Sequence, residues 1–176
     1  VRADSATLDA GGRIVFKATK DVTLAQGSLT SASGARGGSI SLESQTGVLQ
    51  AAGTIEARGH AGPGGSIALT AEVLLQTGDV RADGASGGAV TMQARNLLSA
   101  GRISADGWLG AGGEINLQAS SKLIQTSSAR LSADSTTGDG GSVTVQAAGR
   151  VFSSAVLSAT CRGAGVMVGA VCVLGN

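Results

Sequence analysis

A Gly-Gly pair followed by an alternating apolar stretch recurs along the chain, and no other sequence feature constrains the fold as tightly. The copies are Gly11-Gly12-Arg13-Ile14-Val15-Phe16, Gly37-Gly38-Ser39-Ile40-Ser41-Leu42, Gly64-Gly65-Ser66-Ile67-Ala68-Leu69, Gly87-Gly88-Ala89-Val90-Thr91-Met92, Gly112-Gly113-Glu114-Ile115-Asn116-Leu117 and Gly140-Gly141-Ser142-Val143-Thr144-Val145. A degenerate seventh copy reads Gly163-Ala164-Gly165-Val166-Met167-Val168. Successive copies start 23 to 28 residues apart, a period of about 25 that belongs to stacked repeat architectures.

Within each copy the period of two decides which side chains face inward, because neighbouring strand residues point to opposite faces. Ile40, Leu42 and Ser44 share one face, as do Ile67, Leu69 and Ala71; Ser39, Ser41 and Glu43 share the other. Two further apolar stations follow. The second includes Val22-Thr23-Leu24, Val48-Leu49, Val73-Leu74-Leu75, Leu97-Leu98, Leu123-Ile124 and Val151-Phe152. The third includes Leu29-Thr30-Ser31-Ala32, Ile55-Glu56-Ala57, Val80-Arg81-Ala82, Ile103-Ser104-Ala105, Leu131-Ser132-Ala133 and Leu157-Ser158-Ala159. Gly27, Gly53, Gly78 and Gly101 lie between the second and third stations.

Three short strands per repeat describe one turn of a coil. A parallel neighbour needs a long crossover, and here the other two strands supply it. Parallel crossovers are right-handed, so the sequence predicts a right-handed parallel β-helix of about seven coils, with strands stacked about 4.8 Å apart. Residues 1–162 form the repeat shaft, and 163–176 a degenerate last coil or cap. Both ends read as uncapped, with Val1-Arg2-Ala3-Asp4 matching a third station. No segment keeps apolar residues at helical spacing for three turns. An irregular β-sandwich is the competing architecture. A calcium-binding nonapeptide solenoid fits less well, because Gly-Gly is followed here by x-Ile/Val.

The composition agrees. Of 176 residues 29 are Gly and 1 is Pro, and aromatics supply 2% against 42% hydrophobic residues. A narrow prism favours ladders of aliphatic residues, and glycines at Gly37, Gly38, Gly64, Gly65, Gly87, Gly88, Gly112, Gly113, Gly140 and Gly141 serve its corners, where φ > 0 or a close approach is expected. Charge points to no nucleic-acid partner: 13 Lys+Arg against 12 Asp+Glu leave +1 with no basic stripe, and there is no Tyr to build a stacking platform. The longest apolar stretch, Val166 to Leu174 broken by Gly169, is too short for a transmembrane helix. The chain opens on Val1 without a secretion signal, as expected of a mature piece or a fragment.

The most regular polar feature is Asp83, Asp106 and Asp134 at the ends of third stations. Stacking holds them roughly 5 Å apart, where like charges raise each other's pKa unless neutralised. Calcium is one neutraliser, since it takes carboxylate and backbone oxygens. The other reading makes them turn residues bonding nearby amides, with Arg81, Arg102 and Arg130 supplying positive charge. The local turn chemistry favours the second.

Enzymatic chemistry finds little to work with. Two carboxylates about 5 Å apart match a retaining glycosidase, and polysaccharide-active enzymes use β-helices, but that is analogy of fold alone. No coil adds a convergent His, Lys or Arg cluster. His60 sits in a glycine-rich corner, and no nucleophile elbow surrounds a serine. We therefore expect a non-enzymatic protein without a catalytic residue or a required cofactor. Trp108, in Asp106-Gly107-Trp108-Leu109-Gly110-Ala111, either stands exposed to stack on a sugar or anchor a partner, or folds over the prism. Cys161 and Cys172 flank the last copy. A bridge between them requires the intervening segment to double back, and buried thiols are the alternative.

The tandem Gly-Gly-x-Ile/Val-x-Leu-x-Ala, followed by Val/Leu-Leu-x-x-Gly and Ile/Val-x-Ala-x-Gly, resembles the shaft of filamentous-haemagglutinin-like exoproteins of the two-partner secretion system of Gram-negative bacteria. The likeness runs from about Gly11 to Ala170. It implies a secreted or surface-attached adhesin, with the helix as a stiff rod for attachment or biofilm matrix. It also implies an outer-membrane transporter as partner and a host or matrix glycan or protein as ligand. Some members end in a cysteine pair that retains the exoprotein at its transporter, and Cys161 and Cys172 are similarly placed. The chain carries neither the family's secretion domain nor a receptor-binding module. A self-assembling fibre, stacking head to tail through open β-helix ends, is the alternative.

Overall fold

The computed structural model describes residues 5–8, 12–161 and 170–174, with side chains described for 12–161 and Leu174. In chain order the strands are β1 (Ser5–Leu8), β2 (Arg13–Ala18), β3 (Val22–Leu24), β4 (Leu29–Ser31), β5 (Ser39–Ser44), β6 (Val48–Ala51), β7 (Thr54–Glu56), β8 (Ser66–Gln76) and β9 (Asp79–Arg81). They continue as β10 (Ala89–Ser99), β11 (Arg102–Ser104), β12 (Glu114–Gln125), β13 (Arg130–Ser132), β14 (Ser142–Ala147), β15 (Arg150–Ser153), β16 (Val156–Ser158) and β17 (Ala170–Leu174). There is no helix among the described residues.

These strands wind into a parallel β-solenoid of about six turns. The first and second faces form one 11-stranded sheet running β1-β2-β5-β8-β10-β12-β14-β17, with β3, β6 and β15 on its flank. The third face is a 6-stranded sheet, β4-β7-β9-β11-β13-β16. Each copy of the repeat sits in register on the next, so equivalent residues form columns. Ile14, Ile40, Ile67, Val90, Ile115 and Val143 make one inward column of the first face, and Phe16, Leu42, Leu69, Met92, Leu117 and Val145 the other. Val22, Leu49, Leu74, Leu97, Leu123 and Val151 line the second face. Ile55, Val80, Ile103 and Leu131 line the third, beside the buried alanines Ala57, Ala82, Ala105 and Ala133. Burying each large aliphatic contributes about 1.5–3 kcal/mol, and columns of similar shape leave few gaps.

Three sequence-based expectations change and a fourth is narrowed. In the middle coils the first and second stations are not separate strands: β8, β10 and β12 run through both. Ala71 and Leu74 are close enough along the chain for pairing to continue around the bend. The register shift between β10 and β12 lies at Ala94/Asn96, where the longer coil places an extra residue.

The seventh copy also moves. Val171 and Val173 on β17 pair with Val143 and Val145, five residues later than the Gly163 alignment implies. The stretch Ala170-Val171-Cys172-Val173 offers the same alternation. Residues 163–169 lie outside the described residues.

The amino-terminal side is not a bare edge on the first face, because β1 turns back and pairs antiparallel with β2; Val1–Asp4 lie outside the described residues. Among the described residues the first face therefore carries eight strands, two more than the third.

The paired glycines of the second to fifth copies, finally, are required by space. Among the described residues only Gly12 and Gly27 have positive φ. At Gly65 a Cβ would lie 1.9 Å from the carbonyl oxygen of Gly38 in the coil below, far inside contact distance.

Candidate functional site

The polar chemistry concentrates on the third face and the corner that follows it. Beyond the buried alanines, each coil places Ser33, Arg58, Asp83, Asp106, Asp134 or Thr160 at an equivalent position. This column is tied together by side chains reaching the next coil's backbone. The amide of Arg58 donates to Ser33 Oγ (2.9 Å), that of Asp106 to Asp83 Oδ1 (3.0 Å), that of Asp134 to Asp106 Oδ1 (2.9 Å) and that of Thr160 to Asp134 Oδ1 (2.7 Å). The turn reading of the aspartates thus holds in kind, but the amides they accept from are one coil away. Each bond satisfies a backbone donor that a corner would otherwise leave unpaired.

Neighbouring hydroxyls complete the ladder. Ser132 Oγ lies 2.5 Å from Asp106 Oδ1 and 3.1 Å from Asp134 Oδ2, its one proton shared between them. Ser158 and Thr160 hydroxyls donate to Asp134 Oδ1 at 2.6 and 2.9 Å. The two carboxyls shift in opposite directions. Burial pushes Asp106 up; hydrogen bonds from Ser132 and the Asp134 amide oppose it, and the charges of Asp83 and Asp134 add to it. Burial acts on Asp134 too, but the bonds from Ser158, Thr160 and Ser132 prevail and hold it below the usual range.

The arginines divide. Arg102 reaches Asp106 (3.8 Å) and Arg58 reaches Asp83 (3.8 Å), while Arg81 turns to Asp79 (2.5 Å). Arg130 makes no ion pair among the described residues. Arg102, Asp106, Ser132, Asp134 and Thr136 line a shallow recess of about 240 Å³.

Among the described residues no three His, Cys, Asp or Glu side chains gather as a metal site, and the ladder's Oδ1 atoms are already engaged with amides. Treating the protein with a calcium chelator is therefore expected to leave its melting temperature unchanged; a fall of several degrees would assign calcium to the ladder.

His60 is exposed in its corner loop, with its amide donating to Gly34 O. Trp108 falls between its two readings. Its ring is half-buried, its amide donates to Gly84 O and its carbonyl accepts from Thr137 Oγ1, while the adjacent Leu109 is 72% exposed. Acrylamide is expected to quench Trp108 to a degree between free indole and a buried core tryptophan. Cys161 bridges Ser135 at the third-face corner, and Cys172 pairs with Thr144 on the first face. The side chain of Cys172, and with it the disulfide, lies outside the described residues.

One polar ladder escaped the sequence reading because it lies inside. Gln76, Ser99 and Gln125 are buried on the inward column that closes the second face, with Ser153 in register above them. Gln76 Oε1 accepts from Ser99 Oγ (2.8 Å) and its amide donates to Gly78 O (2.6 Å); Ser153 donates to Gln125 Oε1 (2.8 Å). The signal was present: each residue lies two positions after an inward leucine or valine, so strand alternation points it inward too.

No protein-family model, curated protein or solved structure matches the chain.

Proposed function

We propose that the chain is a non-enzymatic structural shaft of a secreted or surface-attached bacterial adhesin, a rod that sets distance and stiffness for attachment or matrix formation. The observation that carries this reading is where the polar groups go. The aspartate column, the serine hydroxyls and the buried glutamines bind one coil to the next, which stiffens a rod. Such a rod has a use outside the cell, where length and resistance to proteolysis matter, and the resemblance of the Gly-Gly repeat to two-partner exoproteins supports a Gram-negative outer surface as its location and a transporter as its partner. Its adhesion target is a host or matrix glycan or protein.

The fibre alternative is less favoured by the strand arrangement. Among the described residues β1 runs antiparallel to β2 at the amino-terminal edge of the first face, so it interrupts the parallel stack that head-to-tail growth would continue. Growth in one parallel stack requires β1 to be displaced.

An antibody raised against the chain is expected to label intact cells that produce it. Labelling that appears only after permeabilisation would sink the surface assignment.

A further inference from the structure

The outward side of the second face is apolar where a solvated sheet would be polar. In-register pairing stacks two outward columns there. One passes through Val48, Val73, Asn96, Lys122 and Arg150, and the other through Gln50, Leu75, Leu98, Ile124 and Phe152. Leu75, Leu98 and Ile124 are half-buried and Phe152 is 51% exposed. A recess of about 110 Å³, lined by Val73, Leu75, Leu98, Lys122 and Ile124 among others, runs between the columns. Charge is uneven along the stripe. At the carboxy-terminal end Lys122 and Arg150 stack on each other, with no ion pair to either among the described residues, and Lys122 lies 5.5 Å over the Phe152 ring. At the other end exposed Asp21 uses Oδ1 to accept the Val48 amide, leaving Oδ2 for a cation.

We propose that this stripe is a self-association surface on which a second copy of the chain packs face to face with its solenoid axis reversed. Two observations select that occupant. A second copy presents the same strand spacing, about 4.8 Å, so ridges of one face fit between ridges of the other over every coil. Reversal then sets Leu98 against the partner's Leu75 and Ile124 against the partner's Gln50, while Arg150 meets the partner's Asp21. A parallel arrangement would instead bring Lys122 and Arg150 beside their own copies, where like charges repel. The stripe covers roughly 30 by 13 Å, or about 400 Å². That is half of the roughly 800 Å² per partner typical of a stable complex. The dimer is accordingly weak, with a dissociation constant on the order of 100 μM.

Sedimentation equilibrium from 10 μM to 1 mM, with circular dichroism to confirm the fold, tests this. The mean mass is expected to rise from 17.0 kDa towards twice that value and stop there. Ile124→Lys and Arg150→Glu, both at outward positions, are each expected to raise the dissociation constant tenfold or more with an unchanged melting temperature. Orientation is read by oxidative cross-linking in a Cys161→Ser, Cys172→Ser background. A mixture of Gln50→Cys and Ile124→Cys chains should cross-link, and neither should do so alone. A monomer at 1 mM overturns the proposal, as do masses growing past the dimer, which indicate end-to-end growth, or cross-linking of Ile124→Cys chains to each other.

Discussion

Replacing Gly88 by alanine is expected to cost more than about 3 kcal/mol of stability, in the range otherwise produced by core cavities and strained backbone. The new Cβ would lie 2.1 Å from Gly65 O, 2.7 Å from Gly64 C and 2.9 Å from Ala82 O. All three are backbone atoms, and two of them already accept hydrogen bonds: Ala82 O from the Gly88 amide within the coil and Gly65 O from the Ala89 amide of the next coil. No side chain can swing away to make room. The coils themselves must part, and parting them loosens the aliphatic columns on either side. Gly27→Ala is the control. Its φ of +79° disfavours a side chain, but nothing lies within 4 Å of the new Cβ, so only the left-handed backbone term of about 1–2 kcal/mol applies. Urea unfolding of both variants measures the difference; equal losses would show that conformation, and not space, keeps the corner glycines.

The second large effect separates two aspartates that look alike in sequence. Asp134→Ala removes the acceptor of the Thr160 amide, the Thr160 and Ser158 hydroxyls and a share of Ser132, and should cost about 2–3 kcal/mol at pH 7. Asp106→Asn keeps an oxygen for the Asp134 amide and Ser132 while removing a charge that burial penalises, so it should leave stability unchanged or raise it by up to about 1 kcal/mol.

The pH dependence has matching signs. The folded protein holds a proton on Asp106 more readily than the unfolded chain does, so stability rises as pH falls through its raised pKa towards the ordinary 3.8. Asp134 contributes stability that is present above 3.8 and is lost as pH drops through its depressed value. Asp106→Asn should flatten the first limb of a stability-against-pH curve and Asp134→Asn the second. If both variants changed the same limb, the opposed roles assigned to these carboxyls would be wrong.

Much of the architecture was legible because a repeat states its register several times. Ile40 over Ile67 over Val90 needed only the Gly-Gly spacing to be aligned, and the structure pairs them so. The last coil was harder. Gly163 and Gly165 mimic the pair, yet Val171 and Val173 occupy the stack, since one degenerate copy cannot define its own register. The candidate site was half legible. Asp83, Asp106 and Asp134 were visible as a column, but their partners are amides 23 to 28 residues away, and no local turn rule reaches that far. Nor could the opposite shifts of Asp106 and Asp134 be read from two identical Ser-Ala-Asp triplets; they depend on the depth of each corner and on which hydroxyls the next coil supplies.

By itself the sequence determined the period, the alternation and therefore the solenoid, because a side chain's face follows from its parity along a strand and a repeat of about 25 residues must bury that face against its own neighbours. The tertiary structure decided everything that depends on what the next coil brings. It decided that the paired glycines of the second to fifth copies serve a close approach while Gly12 of the first takes a left-handed backbone, that glutamines close the interior, that the aspartates bond amides one coil away, and that an apolar stripe is left outward on the second face. These are contacts between residues far apart in the chain, and their strength depends on distances that only the stacked coils fix.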